Sequence, residues 1–329
     1  MQKISMRTLP LLIAVVLLAV FPMFGDSYYS GLVIKIMIYA VFALSLELLV
    51  GTTGLVCFGH AAFFGIAAYV AALLTPQSGP APLLMLLPAA LLITALYALV
   101  TGALSLRTRG IYFIMVTLAF SQMAYFVFHD TKIGKGSDGI YLYFKPVLEI
   151  GGWMPFDLDN GNTFYFFTLA CLIFTYAFLA MLLNSRFGKA LAGIRVNEQR
   201  MRAAGFSTFP YKLTAFVISG TLAGLAGFLF ALKDGFVNPE LLSWHQSGAV
   251  LLMIILGGLG SLRGAVLGAI IFTLMQELFQ SEEIFGSFAS HWNLTLGLAI
   301  IFLVATLPKG VIGLPAQLSA RFGKGASHV

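Results

Sequence analysis

Charge is what this chain lacks. Only 10% of its 329 residues are Asp, Glu, Lys or Arg, against about 25% in soluble domains. That scarcity argues against an ordinary soluble fold, and an apolar content of 59% places the chain in a bilayer instead. Cysteine is equally sparse: Cys57 and Cys171 both fall in apolar runs, away from aqueous oxidants, so no disulfide framework is expected. No G-x-x-x-x-G-K-[ST] run occurs, hence no phosphate cradle for a nucleotide. No grouping of His, Cys, Asp and Glu has metal-ligand spacing, and no metal or other cofactor is expected. Charges inside the apolar runs are confined to Lys35, Glu47 and Glu277, all near run ends. Long side chains there reach the interface, so all three read as interfacial anchors rather than a relay. A stand-alone carrier ordinarily keeps ionisable groups at mid-membrane. That class is disfavoured, although unwound backbone also binds ions.

What the chain has is long apolar runs. Each spanning helix needs roughly 20 mostly apolar residues, and ten runs qualify as candidates: 9–25, 31–50, 57–75, 81–105, 111–128, 163–184, 213–232, 246–261, 264–280 and 292–308. The eighth and ninth are short and nearly contiguous, which leaves eight to ten transmembrane helices. The runs are continuous rather than alternating at period two, so a transmembrane β-barrel is excluded. The expected fold is an all-α polytopic membrane protein with one transmembrane domain over 1–329. The first run is too long for a signal peptide and lacks a small-x-small cleavage site, so it is read as a retained helix.

Basic residues set the orientation. With the N-terminus inside, the inner segments collect Lys3, Arg7, Arg107, Arg109, Arg186, Lys189, Arg195, Arg200, Arg202, Lys212, Arg263, Lys309, Arg321 and Lys324, which is 14 of the 19 Lys and Arg. This positive-inside bias puts both termini in the cytoplasm. The net charge of +6 is then an effect of orientation and points to lipid rather than nucleic acid. The longest polar segment, 129–162, lies outside, with Gly, Asp and Asn at turn positions. It is long enough to cap the outer mouth and too small for a folded domain.

Two segments break the apolar pattern. The stretch 184–212 carries Arg186, Lys189, Arg195, Arg200, Arg202 and Lys212 against the single acid Glu198. Within it, 194–204 has the pattern of a short amphipathic helix closed by Gly205, a surface for another protein to grip; a solvated basic loop that only fixes orientation is the alternative. The second segment is 51–60, GTTGLVCFGH. Non-helical backbone at membrane depth is tolerated only where protein covers it or water lines it. A half-helix starting near Gly59 points its positive end at an anionic group; a tight turn packed by small residues is equally compatible, and a buried, satisfied histidine is the more frequent role for His60. Gly220-x3-Gly224 and Gly260-x3-Gly264-x3-Gly268 let helix backbones approach. A faint echo links Gly54-Leu-Val to Gly235-Phe-Val, each followed by a histidine and a helix, as two inverted five-helix halves would show.

CFGHAAFFGIAAYVAALL, RTRGIYFIMVTLAFSQM, GSDGI, IRVNEQRMRAAGF, AFVISGTLAGLAGFLFAL and GFVNPELLSWHQSGAVLLMIILGGLGSLRGAVLGA together resemble the LivM-type permease subunits of branched-chain amino acid ABC importers. The likeness runs from about Lys35 to Gly313, and the family has Ser where this chain has Cys57. The resemblance implies an ABC importer permease fold in a bacterial inner membrane. It also implies a homologous permease in a heterodimer, two cytoplasmic ATP-binding subunits that hydrolyse ATP, and a periplasmic substrate-binding protein. Family members also carry urea, short amides and aromatic acids, so those remain alternative substrates. On this resemblance 185–212 becomes the coupling loop: Glu198, Ala203, Ala204 and Gly205 stand where importers place their acid, small residues and terminating glycine, with a looser spacing, and Arg195 and Arg202 are expected to share in ATPase coupling. A branched-chain amino acid is a zwitterion, and backbone groups with helix ends offer it intermediate fields. Gly54, Phe58, Gly59, His60, Phe63 and Phe64 are accordingly the expected path residues, with His60 a polar contact or gate element rather than a proton donor.

Overall fold

A computed structural model of the chain describes residues 9–23, 26–76, 79–150, 153–307 and 310–314. Lys3, Arg7, Lys309, Arg321 and Lys324, counted above for orientation, lie outside these residues, as do Gly25 and Pro308 at the ends of two expected runs. The described chain is predominantly helical. In order it forms α1 (Leu9–Val20), α2 (Ser27–Glu47), a π-helical continuation (Leu48–Thr53), α3 (His60–Leu74), α4 (Leu83–Ser105), α5 (Ile111–Asp130), β1 (Ile140–Tyr141), β2 (Leu148–Ile150), β3 (Trp153–Phe156) and α6 (Gly161–Asn184). There follow α7 (Arg186–Val196), α8 (Glu198–Ala203), α9 (Thr208–Asp234), β4 (Phe236–Val237), α10 (Trp244–Gly257), α11 (Leu262–Gln280), α12 (Glu282–Phe285) and α13 (Trp292–Thr306). Seven helices among the described residues are long and apolar enough to cross a membrane.

Three of the ten expected runs are not among these seven: the run 9–25 gives the 12-residue α1 among the described residues, and two others give short helices. The run 57–75 becomes helical only at His60, giving a 15-residue helix about 22 Å long. The run 246–261 yields the 14-residue α10, about 21 Å, against roughly 30 Å of hydrocarbon. Helices α3 and α10 are half-helices, the first entered by irregular backbone over 54–59 and the second by β4 and a 3-10 turn over Pro239–Leu242.

Helices α2 (with its π segment) and α9 form the centre. Each is 27 residues long, and their most apolar windows are 83% and 78% buried, whereas those of α4, α5, α6, α11 and α13 lie between 22% and 33%. The two long helices pack on each other; α3 and α4 lie against α9, and α10 and α11 against α2. Small residues permit this. A Cβ on Gly220 would meet Ala98 Cβ at 2.7 Å, one on Gly224 would meet Thr94 at 2.9 Å, and Gly227 lies directly against the Phe64 carbonyl. In the α10–α11 pair, Gly257 abuts the Gly264 carbonyl and Gly268 the Met253 carbonyl. The packing stripe expected from 260 to 268 therefore begins instead at Gly257; Gly260 adopts φ +89° in the connecting turn.

The loop 129–162 is less irregular than its composition implied. β2 and β3 form a hairpin, and β1 pairs antiparallel with β4, Ile140 opposite Val237 and Tyr141 opposite Phe236. Leu142 N–H also donates to Gly235 O at 2.8 Å. This loop is thus bonded to the segment that leads into α10.

Candidate functional site

The α2 helix widens to π geometry over its last turn, a form often found at functional positions. Thr53 Oγ1 donates back to Leu49 O at 2.6 Å, and Gly54, at φ +74°, ends the helix in the left-handed region where glycine carries no Cβ penalty. The backbone then runs irregularly to Gly59. Phe58 N–H donates to Thr117 Oγ1 of α5 at 3.3 Å, and a Cβ on Gly59 would stand 2.7 Å from Thr117 O. Only glycine lets the chain pass α5 so closely.

The six expected path residues separate into two groups. Gly54 is exposed, and Phe58 and Gly59 lie against α5. His60, Phe63 and Phe64 enter the core: His60 and Phe64 are 0% and Phe63 2% exposed. The His60 ring stacks on Phe42 at 5.9 Å and meets Phe63 edge-on at 5.5 Å. Its Nε2 sits 3.1 Å from Ser45 Oγ on α2 and 3.2 Å from Ser219 Oγ on α9. Both hydroxyls spend their protons on carbonyls, Ser45 on Phe42 and Ser219 on Ser45. Each therefore offers His60 a lone pair, which assigns the shared ring proton to Nε2. His60 thereby ties three helices together.

The second half-helix begins beside the first. Ser247 Oγ accepts Ala61 N–H at 2.9 Å, so the first turn of α10 satisfies an orphan donor of α3. Ser121 Oγ of α5 donates to Leu242 O at 3.1 Å, one helical turn beyond Thr117. Helix α3 then runs to the end of the bundle carrying 129–162, where Ala72, Leu73 and Thr75 share a cavity of about 290 Å³ with Tyr141, Leu142 and Tyr143. Helix α10 runs the other way, to Gly257 at the basic end. The sequence echo, which pairs His60 with His245, did not single out Thr117, Ser121 or Ser247; the one available signal was the i, i+4 spacing of Thr117 and Ser121, which puts both hydroxyls on one face.

At the basic end the expected helix over 194–204 is two helices. The break is Asn197, which is extended (φ −156°) and caps α8 by accepting Arg200 N–H on its side-chain oxygen at 2.9 Å, a role Asn fills well. Gly205 adopts φ +88°; its N–H donates to Arg202 O at 2.9 Å and Phe206 N–H to Met201 O at 3.1 Å, the paired bonds of a Schellman cap. Glu198 does not stand free on this surface. Its Oε1 accepts from Arg202 at 2.6 Å, from Thr208 at 2.9 Å and from Lys212 at 2.9 Å, fastening α8 to the start of α9. Burial alone raises the Glu198 carboxyl, but bonds from Lys212, Thr208 and Arg202, with the Lys212 charge, outweigh it and hold it at about 2. The outward face carries Arg195, Arg200, Ala203, Ala204 and Gly205, with Val196 84% exposed.

Arg195 joins the two candidate segments. Its guanidinium donates to Gly51 O, and its side-chain stem would meet a Cβ on Gly54 at 3.3 Å. Glu47 departs from the interfacial anchor expected of it: it is 2% exposed, and Oε1 accepts Gly260 N–H at 2.7 Å. The π turn folds this carboxylate inward over Gly51, which has no side chain to exclude it. Lys35 and Glu277 pair with one another across α2 and α11 at 3.9 Å, and Tyr28 donates to Glu277 at 2.5 Å.

The family signature described as "Branched-chain amino acid transport system / permease component" matches residues 28–305. The chain belongs to this permease family. It is 32% identical over 308 residues to the high-affinity branched-chain amino acid transport system permease protein LivM of Salmonella typhimurium, covering 88% of this chain and 71% of the relative. The LivM of Escherichia coli strain K12 is 32% identical over 295 residues, 84% and 68% of the two chains. LivH of Salmonella typhimurium is 24% identical over 292 residues, 84% and 92%. No solved structure matches.

Proposed function

We propose that this chain is the transmembrane permease subunit of an ATP-driven importer that moves branched-chain or related hydrophobic amino acids from periplasm to cytoplasm. Its partners are a homologous permease, two cytoplasmic ATP-binding subunits and a periplasmic binding protein. It lies in the bacterial inner membrane with both termini cytoplasmic; 129–162 is the periplasmic loop and 185–212 the coupling loop. Gly54, Phe58 and Gly59 line the path, while His60, Phe63 and Phe64 hold the half-helix behind them. Arg195, Val196, Arg202, Ala203, Ala204 and Gly205 form the surface on which an ATP-binding subunit acts, and Glu198 keeps that surface in place.

The observation that carries this reading is the Arg195 bridge from α7 to Gly51 and Gly54. Through it a push on the basic loop reaches the backbone that sets the depth of α3, although this chain contains no nucleotide-phosphate motif of its own.

The test is uptake into vesicles holding the chain with its partner permease, ATP-binding subunits and binding protein, each omitted in turn. Leucine, isoleucine and valine are compared with urea, short amides and aromatic acids. Uptake of the branched-chain set that needs every component supports the reading; uptake by this chain alone sinks it. In intact cells, cysteine at Ser137 should react with an impermeant maleimide and cysteine at Gln199 should not.

A further inference from the structure

Helix α5 fixes a depth scale. It runs from Ile111 to Asp130, between Arg107 and Arg109 at one end and His129 and Asp130 at the other. Ser121, the eleventh of its 20 residues, holds Leu242 O at 3.1 Å. The first turn of α10 follows two residues later, so Trp244 and His245 lie near the middle of the membrane. Both are exposed, Trp244 by 47%, and their rings lie face to face at 3.9 Å with 30° between planes.

An exposed imidazole at this depth is unlike the rest of the molecule. Mid-span side chains exposed on α4, α5, α6 and α13 are apolar: Leu92, Leu96, Met123, Phe174, Leu298 and Ile301 are examples. Those faces suit lipid. A polar ring facing hydrocarbon forfeits its hydrogen bonds, and ionisable groups within spans ordinarily face the bundle interior or a water-filled cavity.

We propose that the transport path passes the first turn of α10, and that His245 is a polar contact for the solute there. This rests on the reading of the chain as an importer permease. The solute is a zwitterion with an apolar side chain: the imidazole addresses its charged end, and the Trp244 indole its apolar part. The path therefore has a wall from each half-helix, Phe58–Gly59 before α3 and Trp244–His245 at the start of α10. Of the two histidines in the sequence echo, the one that meets the solute is His245, since His60 is fully buried.

The experiment uses the complete transporter in a Cys57→Ser, Cys171→Ala background. His245→Cys should react with a small impermeant thiosulfonate, and the transported amino acid, supplied with its binding protein, should slow that reaction about fivefold or more. Leu298→Cys on α13 should not react. His245→Leu should lower maximal uptake about tenfold, the value of one hydrogen bond to a charged group, and His245→Gln should recover most of it at equal membrane abundance. A His245→Cys inert to the impermeant reagent, or His245→Leu uptake equal to the parent's, overturns the proposal. If the parent transporter fails to move branched-chain amino acids, the substrate reading falls by itself, because thiosulfonate reactivity still reports whether residue 245 faces an aqueous path.

Discussion

Helices α3 and α10 are both too short to cross a bilayer, both begin beside the middle of α5, and they run in opposite directions. They differ in how they are held. The backbone entering α3 is gripped from the basic loop, by Arg195 on Gly51, and its first residue is locked into the core through Ser45 and Ser219. The backbone entering α10 is gripped from the opposite end, by β1 on β4, and its first residues, Trp244 and His245, are exposed. One half-helix is buried at its start and tied to the basic segment over 184–212; the other exposes its start and is tied to the loop over 129–162. Two short helices that run in opposite directions are thus tethered from opposite ends of the bundle.

Perturbations should therefore act unequally on the two. The largest effect is expected from Gly59→Leu, which drives a side chain into the Thr117 backbone at the entry to α3. Uptake should fall about 100-fold or more while the complex still assembles. Gly248→Ala in α10, where an added Cβ meets nothing within 4 Å, should leave uptake unchanged. Uptake assays with pull-down of the partner subunits check both.

Next in size is Arg195→Ala. Loss of a charged hydrogen bond, worth about 1.5–3 kcal/mol, should uncouple α3 from the basic loop. Uptake should drop about tenfold while ATP hydrolysis in the assembled complex continues. Equal loss of ATP hydrolysis and uptake would show that Arg195 acts through the surface for the ATP-binding subunit alone and not through its bond to Gly51, and α3 would lose its tether to the basic segment.

Gly139→Val probes the other tether. Gly139 has φ +68° and its Cβ would stand 2.5 Å from Val237 O, so a β-branched residue opens the β1–β4 pair. Amide exchange at Leu142, bonded to Gly235 O, should quicken about tenfold or more, and uptake should fall by a smaller factor than for Arg195→Ala.

The smallest effect is electrostatic. The Glu198 carboxyl is held at about 2, below its ordinary 4.5. Its contribution is complete above 4.5 and is lost as pH falls through about 2. It is worth about 1–2 kcal/mol after allowance for solvent screening. Glu198→Gln should lower thermal stability at neutral pH and abolish the difference from the parent near the acid limit. An unchanged melting curve at pH 7 would show that α8 is held by its caps alone.

Much of this was legible in the residues themselves. The Schellman glycine at 205, the glycines on α9 and the start of α4 and α5 within a few residues of the expected boundaries all follow from local chemistry. The basic segment reads as one helix over 194–204 because its hydrophobic pattern runs through Asn197, whereas the Asn197 side chain satisfies Arg200 N–H better as a cap and splits it in two. Glu47 was misread because its place at a helix end promised water, and the π turn points it at Gly260 instead.

Apolar content and the length and continuity of the apolar runs by themselves determined that this protein is a bundle of membrane helices, because transfer from water to lipid is summed residue by residue along the chain. Whether an apolar run crosses the membrane or stops half-way is a different matter. A helix can begin at mid-depth only if something satisfies its first N–H groups and covers the backbone before it, and those partners, Ser247 for α3 and Ser121 for the approach to α10, lie 186 and 121 residues away in sequence. Tertiary structure alone decided that of the two histidines in the sequence echo His60 is a buried tie and His245 is exposed, because burial depends on which helices meet and not on the residue that meets them.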